Sequence, residues 1–127
     1  MFSNPVLYPV AVISRPKAGL QHWGVLLSDN RVVHCAPVRG EHITSVEDFA
    51  AGEDITFVRM LVPPEYSPTM RRIAESLRNP KAYHAVTNNC QTFATRMIGA
   101  EPDSPDLKAV VALLVVAAVV GVAAARG

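Results

Sequence analysis

The chain has 127 residues, half of them apolar, enough for one domain with an appendage and too few for two. Its 12 basic and 11 acidic residues nearly cancel to a net charge of +1, which argues against the basic footprint of a nucleic-acid binder. Two cysteines, Cys35 and Cys90, make neither a disulfide framework nor paired metal ligands, so they read as free thiols in a reducing compartment.

The opening residues, MFSNPVLYPV, do not read as an export signal: no charged segment leads into an apolar run. Residues 8–14 read as a strand, and 23–27 with 31–36 as a hairpin closed around Asp29-Asn30. A short helix is expected over 45–50 before Gly52, then a strand over 55–61. Pro63-Pro64 reads as a break. Ser67-Pro68 reads as a capping hydroxyl and first-turn proline ahead of a helix over 69–77, which Asn79-Pro80 ends. Residues 82–86 read as a strand. Thr87-Asn88-Asn89 then offers three capping side chains before a helix from Cys90 to about Ile98, stopped by Gly99.

These elements divide the chain into a domain over 1–100, an acidic, proline-containing linker over 101–108, and a hydrophobic helix over 109–125. The last is seventeen apolar residues without a charge, about 25 Å as a helix against a bilayer core of about 30 Å. A helix packed on one face of a small domain has no need to be apolar all round, so the segment reads as a membrane anchor. Ala117, Gly121 and Ala125 make a small-residue ridge that would let two anchors pair as a homo-oligomer.

Cys90 is expected on the first turn of its helix, where free N–H groups and the helix dipole favour a thiolate. The plain alternative is a buried structural cysteine. A nucleophilic thiol needs a base and a group to orient that base, and His22, His34, His42 and His84 are the candidates. The hairpin register decides between them. A two-residue turn would send His22 and His34 to opposite faces of the sheet. A three-residue turn, Ser28-Asp29-Asn30, sets Leu27 opposite Arg31 and Gly24 opposite His34, which makes His22 and His34 diagonal neighbours on one face. Asn30 tolerates the left-handed conformation that this turn needs. His42, assigned to a polar loop, and His84, beside the capping run, have no partner that the sequence identifies and read as ordinary.

The stretch Arg15-Pro16…Gln21-His22-Trp23-Gly24-Val25…Val32-Val33-His34-Cys35-Ala36-Pro37 resembles the histidine block of the lecithin retinol acyltransferase-like proteins. Those include phospholipase A and acyltransferase enzymes, within the wider NlpC/P60 superfamily. Tyr83…Thr87-Asn88-Asn89-Cys90-Gln91-Thr92-Phe93-Ala94 resembles the same family's cysteine block. The twelve-residue spacing of the histidines and their place before the cysteine match the circularly permuted papain-like form. The resemblance spans roughly residues 10–98. Gln91-Thr92 stands where the family has Glu-His, Leu20 where several relatives have an aromatic, and Cys35 is a second thiol beside His34.

The resemblance implies an α+β domain of the permuted NlpC/P60 papain-like fold, an antiparallel sheet with the Cys90 helix packed on it. It also implies Cys90 as nucleophile, His22 as general base and acid, and His34 as the residue that orients the imidazole. No metal or cofactor is expected. The expected partner is a phospholipid or other acyl lipid, met at a membrane through the C-terminal anchor, with the catalytic domain in the cytoplasm and no nucleic acid involved. The rival readings are a cysteine peptidase or amidase of the NlpC/P60 type, which should carry export or targeting signals, and a non-catalytic membrane-tethered interaction domain, which should show an unperturbed thiol.

Overall fold

The structure, a computed structural model, describes residues 9–101 and 103–126, with side chains as far as Val120. Turn chemistry sets the sheet. β1 (Ala11–Lys17) and β2 (Leu20–Leu26) join through Ala18 and Gly19, both at positive φ, the geometry that matches the twist of a two-residue hairpin. β2 and β3 (Arg31–Ala36) join through the three-residue turn expected at Ser28-Asp29-Asn30. Leu27 N donates to Arg31 O at 2.8 Å, and Asn30 takes φ 67°. Val25 then faces Val33 and Leu26 faces Val32. β4 (Gly40–Ser45) follows antiparallel, and β5 (Thr56–Met60) returns to the other side of β1, giving the antiparallel order β4-β3-β2-β1-β5.

Period-two alternation gives each face its own core. Val12, Val25, Val33 and Cys35 meet Ile73 of α2 (Pro63–Arg78) and Phe93, Ala94 and Met97 of α3 (Cys90–Met97). Ala11, Ile13, Leu26 and Val32 point the other way, onto Phe49 of α1 (Val46–Ala50), a helix that the Ser45 hydroxyl caps at the Asp48 N–H, 3.1 Å. Gly99, at φ 77°, stops α3 where expected. The fold is thus α+β with helices on an antiparallel sheet. The expected strand over 8–14 begins three residues later, at Ala11, and Tyr8 lies outside the described residues.

Three expectations are corrected. Pro63-Pro64 opens α2 instead of breaking the chain, because first-turn residues have no intrahelical N–H bond to lose. The Glu65 carboxylate accepts from Val62 N at 3.0 Å and completes this start, leaving Pro68 inside the helix. Residues 82–86 make no strand. His84 and Asn88 exchange backbone bonds of 3.0 and 2.9 Å in one isolated bridge, and His84 Nδ1 accepts from Val86 N and Thr87 N, so the segment turns on itself. Finally, the apolar segment lies in α4 (Pro105–Arg126), but among the described residues no helix is long and apolar enough to cross a membrane. Positions Gly121 and Ala125 of the small-residue ridge lie beyond the residues whose side chains are described.

Candidate active site

The β2–β3 register brings His22 and His34 together. Both are buried, and His22 Nε2 lies 2.9 Å from His34 Nδ1. Phe49 holds the pair from above: its ring stacks on His22 at 5.3 Å and meets His34 edge-on at 5.2 Å. Gly24 makes room for that ring. A Cβ there would come within 2.8 Å of Phe49 and 2.6 Å of Val32.

His42 corrects the sequence reading, since it lies on β4 directly opposite His34, with ring centroids 4.1 Å apart and Nδ1 donating to Gly40 O at 2.8 Å. The signal for it was present. Gly40, at φ 69°, closes the β3–β4 hairpin with Ala36 opposite it, and counting back from that turn pairs His34 with His42. His84 serves its own loop, as above. No group of three or more potential ligands capable of holding a metal ion occurs among the described residues.

Burial dominates the electrostatics of the pair. Desolvation, then the positive charges of Lys17 and Arg15 and the nearby His42, draw His22 down to about 4. Desolvation, then His42, His22, Arg15 and Arg39, draw His34 to about 3. Both rings are therefore neutral at physiological pH, and one carries the proton shared across the 2.9 Å contact.

Cys90 opens α3 next to its N-cap. Asn89 Oδ1 accepts from Gln91 N and Thr92 N at 3.0 and 2.9 Å, and Thr92 Oγ1 accepts from Asn89 N at 2.9 Å. This reciprocal cap does not use the Cys90 N–H. The thiol is half-buried and donates a long hydrogen bond of 3.8 Å to Gln21 O, the residue before His22. Its titration departs from the sequence expectation. Burial pushes the Cys90 thiol up, and Asp106 adds to this, against the favourable backbone N–H groups of Trp23 and Gln91 and the charge of Lys17. The helix start alone does not make a resting thiolate. Cys35 is a different case: fully buried, it donates to Asn88 O at 3.3 Å, and burial pushes it up to about 12.

Cys90 and His22 line one cavity of about 340 Å³ together with Leu20, Pro37, Leu107 and Val110. Such a volume is at the small end of the range for organic ligands. The expected linker takes part in it, for Ser104 Oγ and Asp106 N both donate to Gln91 Oε1. A polar network that the sequence did not reveal ties the cysteine loop to β4. The buried Glu41 carboxylate accepts from Ser76 at 2.8 Å, Asn88 at 2.9 Å and Arg96 at 2.6 Å. Burial pushes Glu41 up, but those bonds and one from the Lys81 backbone more than offset it and hold the carboxyl below its usual range.

An antiparallel sheet with paired histidines on adjacent strands, followed in the chain by a cysteine at a helix start that shares a cavity with His22, makes a candidate thiol–imidazole site on an α+β domain. A model of the family described as lecithin retinol acyltransferase matches residues 8–102, most of the chain, and the chain belongs to that family. No curated protein matches it. Membership carries acyltransferase or phospholipase-type activity in general terms.

Proposed function

We propose that the protein is a thiol-dependent phospholipase A or acyltransferase that forms an acyl-thioester on Cys90. One observation carries the reading: Cys90 and a neutral, buried His22 share a single cavity whose surface is mostly apolar, with Lys17 and Asp106 among its polar lining residues. A mostly apolar surface suits a fatty-acyl chain.

His22 Nε2 is committed to His34, so Nδ1 is the nitrogen that takes the thiol proton. That role requires the His22 proton on Nε2, donated to His34 Nδ1, which makes His34 the acceptor that fixes the productive tautomer. The transfer requires Cys90 Sγ to leave Gln21 O and come within hydrogen-bond reach of Nδ1. Thiol and imidazole rest as a neutral pair, so proton transfer accompanies attack. The sulfur–carbon bond forms at the ester carbonyl, and the oxyanion faces the Cys90 N–H. His22 returns the proton to the departing alkoxide as the carbon–oxygen bond breaks. Water, an amine or a hydroxyl, deprotonated by His22, then attacks the thioester and restores the thiol.

The exposed aliphatic side chains of α4, among them Leu113, Leu114, Val119 and Val120, would hold the domain at a lipid surface, with the catalytic part on the cytoplasmic side. Intact-mass measurement of detergent-solubilised protein mixed with phosphatidylcholine vesicles tests the chemistry. Wild type should gain one fatty-acyl mass that hydroxylamine removes, and Cys90→Ala should gain none. Absence of the adduct together with absence of lysophospholipid and fatty acid would overturn the proposal.

A further inference from the structure

Gln91 follows Cys90 in sequence, yet its side-chain hydrogen bonds leave its own helix. It is 2 % exposed. Its Nε2 donates to Gln21 O at 3.3 Å, and its Oε1 accepts from the Ser104 hydroxyl at 2.8 Å and from Asp106 N at 3.0 Å. Asp106 closes the loop: its carboxylate accepts from Gln21 N at 2.7 Å. Ser104, which caps α4 by accepting from Leu107 N at 3.3 Å, is the same residue that is bonded to Gln91. One buried amide therefore joins β2 just before His22, α3 just after Cys90, and the first turn of α4.

The amide suits this place because it donates at one end and accepts at the other. A carboxylate at position 91 would still accept from Ser104 and Asp106 N, but would set a negative oxygen against Gln21 O in a buried site. The segment so held brings Leu107 and Val110 to the cavity that Cys90 and His22 line. Few other contacts hold α4 there, since its aliphatic side chains from Val110 to Val120 are largely exposed.

We infer that Gln91 is a positioning residue that docks the first turn of α4 on the catalytic domain, and that Leu107 and Val110, held there, wall the acyl cavity and select acyl chain length. The second half rests on the acyl-lipid reading above; the first does not. A pinned wall differs from a flexible one in that its side-chain volume subtracts from the space left for substrate. Enlarging Leu107 should therefore penalise long chains selectively, and trimming it should relax the limit.

Two measurements on the full chain separate the halves. Hydrogen exchange at the Gln21, Asp106 and Leu107 amides should quicken about tenfold in Gln91→Glu and in Asp106→Ala, with β1 amides unchanged. Asp106→Ala lies on a partly exposed segment and guards against a Gln91 variant that fails to fold. Hydrolysis of dihexanoyl and dipalmitoyl phosphatidylcholine supplies the second readout. Leu107→Trp should lower the long-to-short ratio of kcat/KM about tenfold, and Leu107→Ala should raise it. Unchanged protection in both exchange variants would overturn the pin. A Leu107→Trp ratio equal to wild type would overturn chain-length selection. Hydrolysis of neither lipid by wild type would overturn the acyl-lipid reading and selection with it, while the exchange result would still decide the pin.

Discussion

His22 Nε2 and His34 Nδ1 lie 2.9 Å apart across neighbouring strands, and both rings are buried. In the unfolded chain each imidazole takes a proton near 6.5, in the folded one only near about 4 for His22 and about 3 for His34. Between those values the unfolded chain binds more protons, so stability falls as pH drops below 6.5 and continues to fall towards about 3. Thermal unfolding across this window should show that slope, reduced in His34→Gln and in His22→Gln. Equal slopes in all three proteins would count against the buried neutral pair. In the wild type, kcat/KM should lose activity on the acid side only as pH nears about 4, where His22 protonates.

The two thiols should separate by reactivity. Iodoacetamide on the native protein should modify Cys90 once and leave Cys35, which is fully buried and bonded to Asn88 O, untouched. Because burial raises the Cys90 thiol, labelling should be slow at neutral pH and climb in alkaline solution. Labelling already maximal in mild acid would contradict this. Cys35→Ala should keep acyl release while costing about 1 kcal/mol in stability; loss equal to that in Cys90→Ala would remove the assignment.

Phe49 packs against both histidine rings. Phe49→Ala should cost about 3–5 kcal/mol by opening a cavity beside Ile13 and Val32, and kcat should fall with it. Gly24→Ala tests the same contact from the other side. Its new methyl group meets Val32 at 2.6 Å and Phe49 at 2.8 Å, so denaturant midpoints should report a loss of about 1–3 kcal/mol. A neutral Gly24→Ala would mean that the ring is free to move.

Glu41 couples β4 to the loop before Cys90. Glu41→Ala strips the partner from Arg96 and Asn88 and should cost about 3 kcal/mol, at the low end for a broken buried pair because Arg96 keeps access to solvent. Glu41→Gln, which retains the shape, should cost less. The folded carboxyl titrates below its usual value of 4.5, so its contribution is present above that pH and is lost as pH falls through the folded value, and Glu41→Gln should lack this acid component. Urea unfolding below that pH distinguishes the two.

Much of the site's frame was legible because turns act locally. Asn30 admits the left-handed conformation, which permits the three-residue turn that the structure adopts, and pleat parity then puts His22 and His34 on one face. The Asn89 cap and the Gly99 stop are equally local, each satisfying backbone groups within a few residues. The same reasoning from Gly40 would have reached His42; reading residues around it as loop, not strand, concealed the pairing.

What only tertiary structure decided is whatever depends on partners far along the chain. The titration of Cys90 follows from how deeply α3 is packed and from Asp106, sixteen residues on, and here burial outweighs the helix start. The partners of Glu41 come from α2, α3 and the loop between them, and those of Gln91 from β2 and the start of α4, with no periodic pattern to announce either. A sequence carries turn and cap preferences residue by residue, whereas desolvation and buried hydrogen bonds are properties of the space that distant segments enclose together.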